Sequence, residues 1–328
     1  MHRPLALSLT CVLLVGCPTT PEPALDASVD AAVESPDVFS PVDTASDAFT
    51  LPDAFSADLV VTNTRASGPG SLTAVIAYVN GHCDADRDVV TFDIPRTDTG
   101  FLTTRGQSFW RIEIADPIAL TCPVEIDGTS QTGRHGDTNT KTFGGMPVGL
   151  AAVPLPLIQG PEIELRGVRF QSTTTGVFIH GVAFSGFETS EPDCRIEQSL
   201  IGSEVYDTVA TPRVDTRLIY AEHGIALHSN VFVWNPGTAI GIFVNDRGIH
   251  IEDNLMTGNG FRFEVQTYQP VDAVIDHNAL LGLGFASHIE WFQAMGGRVT
   301  ENTFGSMPLF SSGMPEMEMG NLLAEPAP

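Results

Sequence analysis

Four asparagines recur at a fixed interval of 24 residues, at Asn230, Asn254, Asn278 and Asn302. Each has an aliphatic residue three positions before it and another large apolar residue two positions after it. Self-similarity at a period of roughly 20–50 residues is typical of solenoids, in which each repeat forms one coil. Apolar and polar residues alternate within each repeat, and this alternation predicts β-strands. The period therefore predicts an all-β solenoid with about 24 residues per coil.

The same asparagines are predicted to stack inside the solenoid. If each repeat is one coil, equivalent residues lie about 4.8 Å apart, which is the spacing of neighbouring strands. Each side-chain amide can then bond to the amides above and below it, as stacked asparagines do in cross-β structures. A left-handed solenoid would need a hexapeptide period, which this sequence lacks. We therefore expect a right-handed parallel β-helix with an internal asparagine ladder.

Residues 1–17 have the pattern of a targeting segment. A basic start is followed by an apolar run over residues 5–14 and then by Leu14-Val15-Gly16-Cys17, as in a secretory signal. This ending resembles a bacterial lipobox, which implies cleavage before Cys17 and lipid attachment to its sulfur. The alternative is an ordinary signal peptide with an incidental cysteine. No other segment has the about 18 apolar residues that span a bilayer, so we expect a protein anchored at a membrane and not threaded through it.

Residues 18–58 are predicted to form a disordered acidic tether. This low-complexity stretch is rich in Asp, Ala, Ser and Pro, and its nine acidic residues face no Lys or Arg. Such a self-repelling segment cannot bury enough apolar surface to fold. A plain spacer explains it, although the regularly placed Phe39, Phe49 and Phe55 leave a docking motif for an export partner as the alternative.

Charge excludes one class of partner. Without those nine acids and Arg3, the remaining chain has 31 acidic and 15 basic residues, a balance of about −16, and Lys141 is its one lysine. Nucleic-acid binding needs a basic footprint, so we expect no nucleic-acid partner. A polyanionic polysaccharide would need a bound cation to approach this surface.

The cysteines indicate an oxidising compartment. Outside the cytoplasm, a disulfide between Cys83 and Cys122 is expected, because both flank the first coils, and Cys194 would then be single. No CxxC or Cys/His cluster offers a zinc site.

One amphipathic helix is predicted near the start of the folded domain. After a strand over residues 58–64, Leu72, Val75, Ile76 and Val79 follow helical spacing, with Ser71 as N-cap and Asn80-Gly81 as the stop. Such a helix would cover the open end of the stacked sheets, whose unpaired edge would otherwise recruit other chains. We therefore predict a short N-terminal capping α-helix.

Three ordered sequence blocks resemble those of a known superfamily. They are Ser67-Gly68-Pro69-Gly70-Ser71-Leu72, Thr91-Phe92-Asp93-Ile94-Pro95, and the block from Pro123 to Gln131. Together with the period, they resemble exported bacterial right-handed β-helix proteins of the pectate-lyase-like superfamily. Thr73-Ala74 departs from the basic and amide residues that the family often has in its cap helix. The resemblance implies the fold and says little about activity, because members are mostly uncharacterised surface proteins with polysaccharide lyases and hydrolases as distant relatives.

The predicted β-helix spans residues 59–306, and residues 307–328 are expected to form a C-terminal cap and tail. Before Asn230 the coils are less regular. Gln198 occupies the predicted ladder position 32 residues earlier, so an insertion is expected near residues 204–217. Residues 134–149 form another predicted loop, and insertions in solenoids project on one face.

Alternation also predicts which side chains face solvent. With the aliphatic residues of the repeat inward, two outward rows follow: His228, Glu252, Asp276 and Thr300, and beside them Ala226, His250, Val274 and Arg298. Carboxylates about 5 Å apart either raise one pKa or hold a hard cation, so Glu252 and Asp276 are a candidate calcium site. A neighbouring His or Arg could act as a base or bind sugar.

The alternative for this patch is an ordinary solvated face. Outward positions must be polar, and opposite charges on neighbouring strands also pair with one another. The polygalacturonase-type set of an Asp pair, Gly-His-Gly and Arg-Ile-Lys is absent. A further row of Val244, Tyr268 and Phe292, beside Trp291, would either platform sugar rings or, as we favour, stack in the core. His223, His277 and His288 lack ligand spacing and are expected to be structural.

The expected function is noncatalytic. We predict a monomeric, lipid-anchored protein of the bacterial outer membrane or cell surface, acting in adhesion, carbohydrate binding or scaffolding. The alternative is a polysaccharide lyase or glycoside hydrolase that acts along the outer face, with calcium as its one candidate cofactor. A deep groove along the His228, Glu252 and Asp276 face would favour the enzyme, and a face whose side chains pair with one another would favour the noncatalytic alternative.

Overall fold

The computed structural model describes thirteen stretches of the chain, all in the unit Asp53–Pro328. They are residues 59–83, 86–104, 106–144, 157–202, 218–234, 240–245, 248–258, 262–266, 273–281, 288–292, 297–304, 316–317 and 322–323. The predicted signal, the predicted tether, the insertion at 204–217 and most of the C-terminal tail lie outside these residues.

The first of two large sheets has ten strands, all parallel to their neighbours. With strands numbered in chain order, its sequence across the sheet is β1 (Val60–Val61), β2 (Asp88–Phe92), β6 (Val124–Asp127), β10 (Phe178–His180), β12 (Cys194–Glu197), β15 (Ile225–His228), β18 (Ile249–Glu252), β21 (Ala273–Asp276), β24 (Arg298–Thr300) and β26 (Glu316–Met317). This sheet carries the predicted site.

The second sheet has 15 strands in two arms. Both arms start from the long strands β9 (Ile163–Ser172) and β11 (Val182–Thr189), which pair with each other. One arm continues through β13 (Leu200–Gly202), β16 (Val231–Trp234), β19 (Leu255–Gly258), β22 (Ala279–Leu281), β25 (Thr303–Phe304) and β27 (Leu322–Leu323). The other continues through β14 (Ile219–Ala221), β17 (Ile240–Asn245), β20 (Arg262–Gln266) and β23 (His288–Phe292). Strands β3 (Phe101–Thr104), β4 (Gln107–Glu113) and β5 (Ile118–Leu120) complete it at β9.

A separate antiparallel hairpin consists of β7 (Thr142–Gly144) and β8 (Leu157–Gln159). Apart from this hairpin and the antiparallel β3–β4 pair, the strand pairs of the described residues are parallel. The fold is thus mostly β with long parallel sheets, which is compatible with an all-β solenoid.

The register of the first sheet follows the sequence period. Leu227 pairs with Ile251, Ile251 with Ile275, and Ile275 with Val299, each 24 residues further along the chain. All four side chains are buried in the main hydrophobic core. Equivalent positions of successive repeats therefore lie on neighbouring strands, and the apolar positions of the repeat form the interior.

The asparagines that define the period lie in the interior one strand apart. Asn230 Nδ2 donates to Asn254 Oδ1 at 3.1 Å, Asn254 Nδ2 to Asn278 Oδ1 at 3.0 Å, and Asn278 Nδ2 to Asn302 Oδ1 at 3.0 Å. Each amide also donates to a backbone carbonyl, as Asn254 does to Leu227 at 2.8 Å. All four side chains are fully buried. The row therefore satisfies its own polar groups inside an apolar core.

The residue before each asparagine makes the corner between the sheets. Ser229, Asp253, His277 and Glu301 all have φ between 50° and 55°, a left-handed conformation that is uncommon outside glycine. Their backbone N–H groups reach the next strand, as Ser229 does to the Glu252 carbonyl at 3.1 Å. Each coil thus leaves the first sheet through one left-handed residue and enters the second sheet directly after the asparagine.

The predicted ladder position of Gln198 is wrong by one residue. Glu197 pairs with His228, so Gln198 lies opposite the corner residue Ser229 and has the corner conformation, with φ 45°. Ser199 holds the ladder position instead: it is buried, and its backbone N–H donates to Asn230 Oδ1 at 3.0 Å. The corner fixes the alignment of this coil, and the polar Gln198 side chain is left exposed.

Two helices accompany the sheets. Helix α1 (Leu72–Gly81) is capped by Ser71, whose side chain accepts from the Ala74 N–H, and it buries Leu72, Val75, Ile76 and Val79. Helix α2 (Thr129–His135) contains the first two residues of the predicted 134–149 loop, so that part of the loop prediction is wrong. The Asp127 carboxylate accepts from the N–H groups of Thr129 and Ser130, which starts this helix.

A disulfide joins Cys83, just after α1, to Cys122, just before β6, with 5.3 Å between their Cα atoms. Asn80 ties the same two segments together, because its side chain donates to the Ala119 carbonyl and accepts from the Thr121 N–H. Cys194 is a buried free thiol, and burial raises its pKa.

Candidate functional site

The predicted patch lies on the outer face of the first sheet. His228 pairs with Glu252, Glu252 with Asp276, and Asp276 with Thr300, while His250 lies beside Ala226 on one side and Val274 on the other. His250 and Arg298 are exposed, whereas Glu252 and Asp276 are half-buried. The structure therefore brings the five predicted site residues to one face. Thr300, in contrast, is buried, because its hydroxyl donates to Asp276 Oδ1 at 2.5 Å.

The same row extends toward the N-terminus through residues that the periodicity missed. His228 pairs with Glu197, Glu197 with His180, and His180 with Asp127. Acidic and imidazole side chains thus alternate over four strands before Glu252 and Asp276 follow. The strand pattern of residues 177–184 and 195–202 contained this signal, but the asparagine that sets the frame is absent there.

Each histidine of the face lies between carboxylates. His228 Nδ1 is 3.7 Å from Glu197 Oε1, and its Nε2 is 3.3 Å from Asp253 Oδ2. His180 Nε2 is 3.2 Å from Glu125 Oε1 and 3.5 Å from Asp127 Oδ1. These imidazoles act as bridges between acidic side chains of neighbouring strands and corners.

His277, predicted to be structural, belongs to this network. Its Nδ1 is 3.0 Å from Asp276 Oδ2, and its Nε2 is 2.5 Å from Glu301 Oε2. Partial burial opposes a charge on the ring, but the charge and hydrogen bond of Asp276, with Glu301 and Asp253, outweigh that effect and raise the pKa of His277. The corner conformation puts His277 one residue past the predicted row, where alternation could not find it.

At the N-terminal end of the face, an aromatic side chain lies between two guanidinium groups. The Phe178 ring is 5.4 Å from the Arg87 guanidinium and 5.5 Å from that of Arg195, and it stacks on His180. Arg87 also pairs with Glu125 at 3.3 Å, and Arg195 pairs with Glu197. The cations near Phe178 are therefore partnered by carboxylates of the same face.

The arrangement is one of mutual pairing. Asp276 bonds to Thr300 and His277, and within the described residues no group of three or more His, Cys, Asp or Glu side chains is arranged to hold a metal ion. Glu252 and Asp276 remain neighbours on adjacent strands. The face can neutralise its own charges by proton exchange at histidine, and it presents a mixed acidic and basic surface to a ligand.

The predicted aromatic row takes a different register. Val244 pairs with Val265, and Val265 with Trp291, so Val244 is not in line with Phe292. Val244 is fully buried, which contradicts an outward platform at this position. The bulge between Ile240 and Ile242 shifts the register, and an even 24-residue count cannot anticipate it. Tyr268 lies outside the described residues.

Comparison with protein-family models, with curated proteins and with solved structures gives no match to this chain. In the part of the chain that the structure describes, neither helix is long and apolar enough to cross a membrane.

Proposed function

We propose that this chain is a noncatalytic, lipid-anchored protein of the bacterial envelope, displaying a right-handed parallel β-helix for adhesion, carbohydrate binding or scaffolding. The 24-residue register and the repeated corner support a coil of about 24 residues. Helix α1 caps the N-terminal end of the solenoid in this proposal, and its bonds from Asn80 to the strand region before β6 support that role.

The mutual pairing on the first sheet carries the noncatalytic part of the proposal. A general acid or base has to present its proton to a substrate, within about 3 Å of the reacting atom. Here His228, His277 and His180 each face two carboxylates of the same face. Side chains that bond to one another across strands stabilise a flat binding surface more readily than they perform turnover.

The anchor and tether complete the proposal. Lipid attachment at Cys17 would hold the chain at the membrane, and the acidic residues 18–58 would extend the domain away from it. A flexible coil of about 41 residues has a root-mean-square reach on the order of 35 Å. That distance would clear the headgroup layer and leave the sheet face free to meet a glycan or another envelope component.

A glycan-array screen run beside release assays on acidic polysaccharides tests the proposal. We expect array binding or no binding, without product release and without a calcium-dependent change in melting temperature. Glu252→Gln with Asp276→Asn should alter only charge, to the same extent as the control pair Glu113→Gln with Asp116→Asn on another part of the surface. Product release, or a calcium shift of several degrees that disappears in the first pair and persists in the second, would favour the polysaccharide enzyme.

A further inference from the structure

One row of apolar side chains is buried on the wrong side of the second sheet. The row runs across five strands and consists of Ala183, Leu200, Val231, Leu255 and Ala279, which are in register with one another. These five side chains are only 0–4% exposed and form a hydrophobic cluster with Phe109 that is separate from the main core. We call them the outer row.

The next residue on each strand shows that the outer row faces away from the core. Phe184, Ile201, Phe232 and Met256 follow Ala183, Leu200, Val231 and Leu255 in the sequence, and all four belong to the main core cluster. Successive side chains of a strand point to opposite faces of a sheet. The second sheet is therefore apolar on both faces along this arm, which is the pattern of a sheet with a layer packed on each side.

The row continues into Thr303, which pairs with Ala279 and is 2% exposed. Within the described residues, its hydroxyl oxygen has no hydrogen-bond partner. A solvated threonine would have its hydroxyl bonded to water, so this position also indicates an apolar cover over the outer face.

The hairpin β7–β8 starts beside the N-terminal end of the outer row. Thr138, which precedes it, exchanges hydrogen bonds with Ser108, next to Phe109 of the outer cluster. Asn139 is buried and donates from its side chain to the Pro161 carbonyl, just after the hairpin. Both ends of the hairpin are thus fixed at the edge where β4 and β9 carry the outer face.

The twelve residues between β7 and β8 are entirely apolar. Residues 145–156 contain only Gly, Ala, Pro, Val, Leu and Met, in a chain of net charge −24. Going out and back, twelve residues reach about 20 Å, at roughly 3.3 Å per residue. The four strand spacings from Ala183 to Ala279 add up to about 19 Å. The segment and the row match in length as well as in chemistry.

We propose that residues 145–156 pack along the outer row, so that this arm of the second sheet has a third layer supplied by the chain itself. An apolar segment and an apolar row would each be unfavourable in water, and contact between them removes both surfaces from solvent. The hairpin fixes the segment next to the row, which lowers the entropy cost of this contact.

Thiol accessibility tests the proposal on the full chain. Leu255→Cys places a thiol in the outer row, Met256→Cys places one on the opposite face of the same strand, and Val89→Cys places one at an exposed position. Each is labelled in the wild-type background and in a chain whose residues 146–155 are replaced by a short Gly/Ser linker, with peptide mapping to identify the modified cysteine. We expect the labelling rate at Leu255→Cys to rise about tenfold or more in the shortened chain, since a thiol reacts only from conformations that expose it. The rates at the other two positions should stay unchanged.

Three results would overturn the proposal. Protection of Leu255→Cys in both backgrounds would mean that another segment covers the row, and reactivity in both would mean that nothing does. Protection that disappears on dilution would mean that a second copy covers it. If Met256→Cys also becomes reactive in the shortened chain, the fold has been lost, and the decision passes to Val148→Ser with Val153→Ser. That pair keeps the length of the segment and should expose Leu255→Cys alone, whereas unchanged protection of Leu255→Cys there would contradict the proposal.

Discussion

At the scale of single residues, two adjacent positions determine each corner between the sheets. The first, at Ser229, Asp253, His277 and Glu301, accepts a left-handed backbone and points its side chain outward. The second is the buried asparagine, whose amide both donates and accepts across the strands. The sequence period predicted the asparagines because they repeat, and it missed the corner residues because their identities differ from coil to coil.

Replacing a ladder asparagine should destabilise the domain. Asn254→Leu leaves the Leu227 carbonyl and the Asn230 amide without their partners, so we expect a loss of about 1–3 kcal/mol in the free energy of unfolding. Urea titration followed by circular dichroism measures it. Ser229→Gly is the matched control, because glycine tolerates the left-handed corner and the ladder stays intact. Equal midpoints for Asn254→Leu and the wild type would show that the buried amides contribute nothing.

Protonation of His277 should make stability depend on pH. Its folded pKa is raised above the ordinary value of 6.5, so its contribution is fully present below pH 6.5 and is lost as pH rises through the raised pKa. His277→Gln should flatten this part of the stability profile, while the exposed His250→Gln should keep the wild-type slope. Melting temperatures across neutral pH provide the test. The pKa of Asp93 is lowered by its hydrogen bond from His135, so that contribution disappears only in more acid solution.

At the scale of elements, local chemistry was predictable and register was not. Ser71 and Gly81 bound α1 where capping and stop residues indicated, because these signals act within one turn. The alignment of Ser199 with Asn230, and of Val244 with Val265, depends on corners and bulges in other coils. A sequence count assumes equal coils, so it fails by one residue wherever a coil gains or loses one. The outer face was found correctly only where the 24-residue period is unbroken.

The disulfide between the end of α1 and the start of β6 should stabilise the first coils. It closes a separation of 39 residues, for which loop-closure entropy gives about 2–4 kcal/mol. Cys83→Ser with Cys122→Ser should lower the denaturation midpoint by a corresponding amount, measured without reductant. Cys194→Ser is the control, because that thiol is not paired with another cysteine. A midpoint unchanged in the double variant would show that Asn80 and the helix packing fix this end without the covalent link.

At the scale of the whole molecule, charge and apolar surface are distributed separately. The face of the first sheet carries ionisable groups that pair with one another, while one arm of the second sheet is apolar on both sides. Composition predicted the acidic balance and excluded nucleic acid, but it could not locate either surface. Their positions follow from which residue of each coil faces outward, and that depends on the corners.

Attachment to a membrane is a property of the whole chain, and one atom is expected to control it. If the sulfur of Cys17 carries the lipid, Cys17→Ser should move the protein from the membrane pellet to the soluble periplasmic or culture fraction, because the proposal includes no other attachment. Fractionation followed by immunoblotting measures this, and Cys11→Ser in the predicted signal segment is the matched control that should stay with the pellet. A Cys17→Ser protein that remains in the pellet after a high-salt wash would contradict the lipid anchor. In that case the apolar surface of the folded domain, rather than an acyl chain, would have to account for membrane binding.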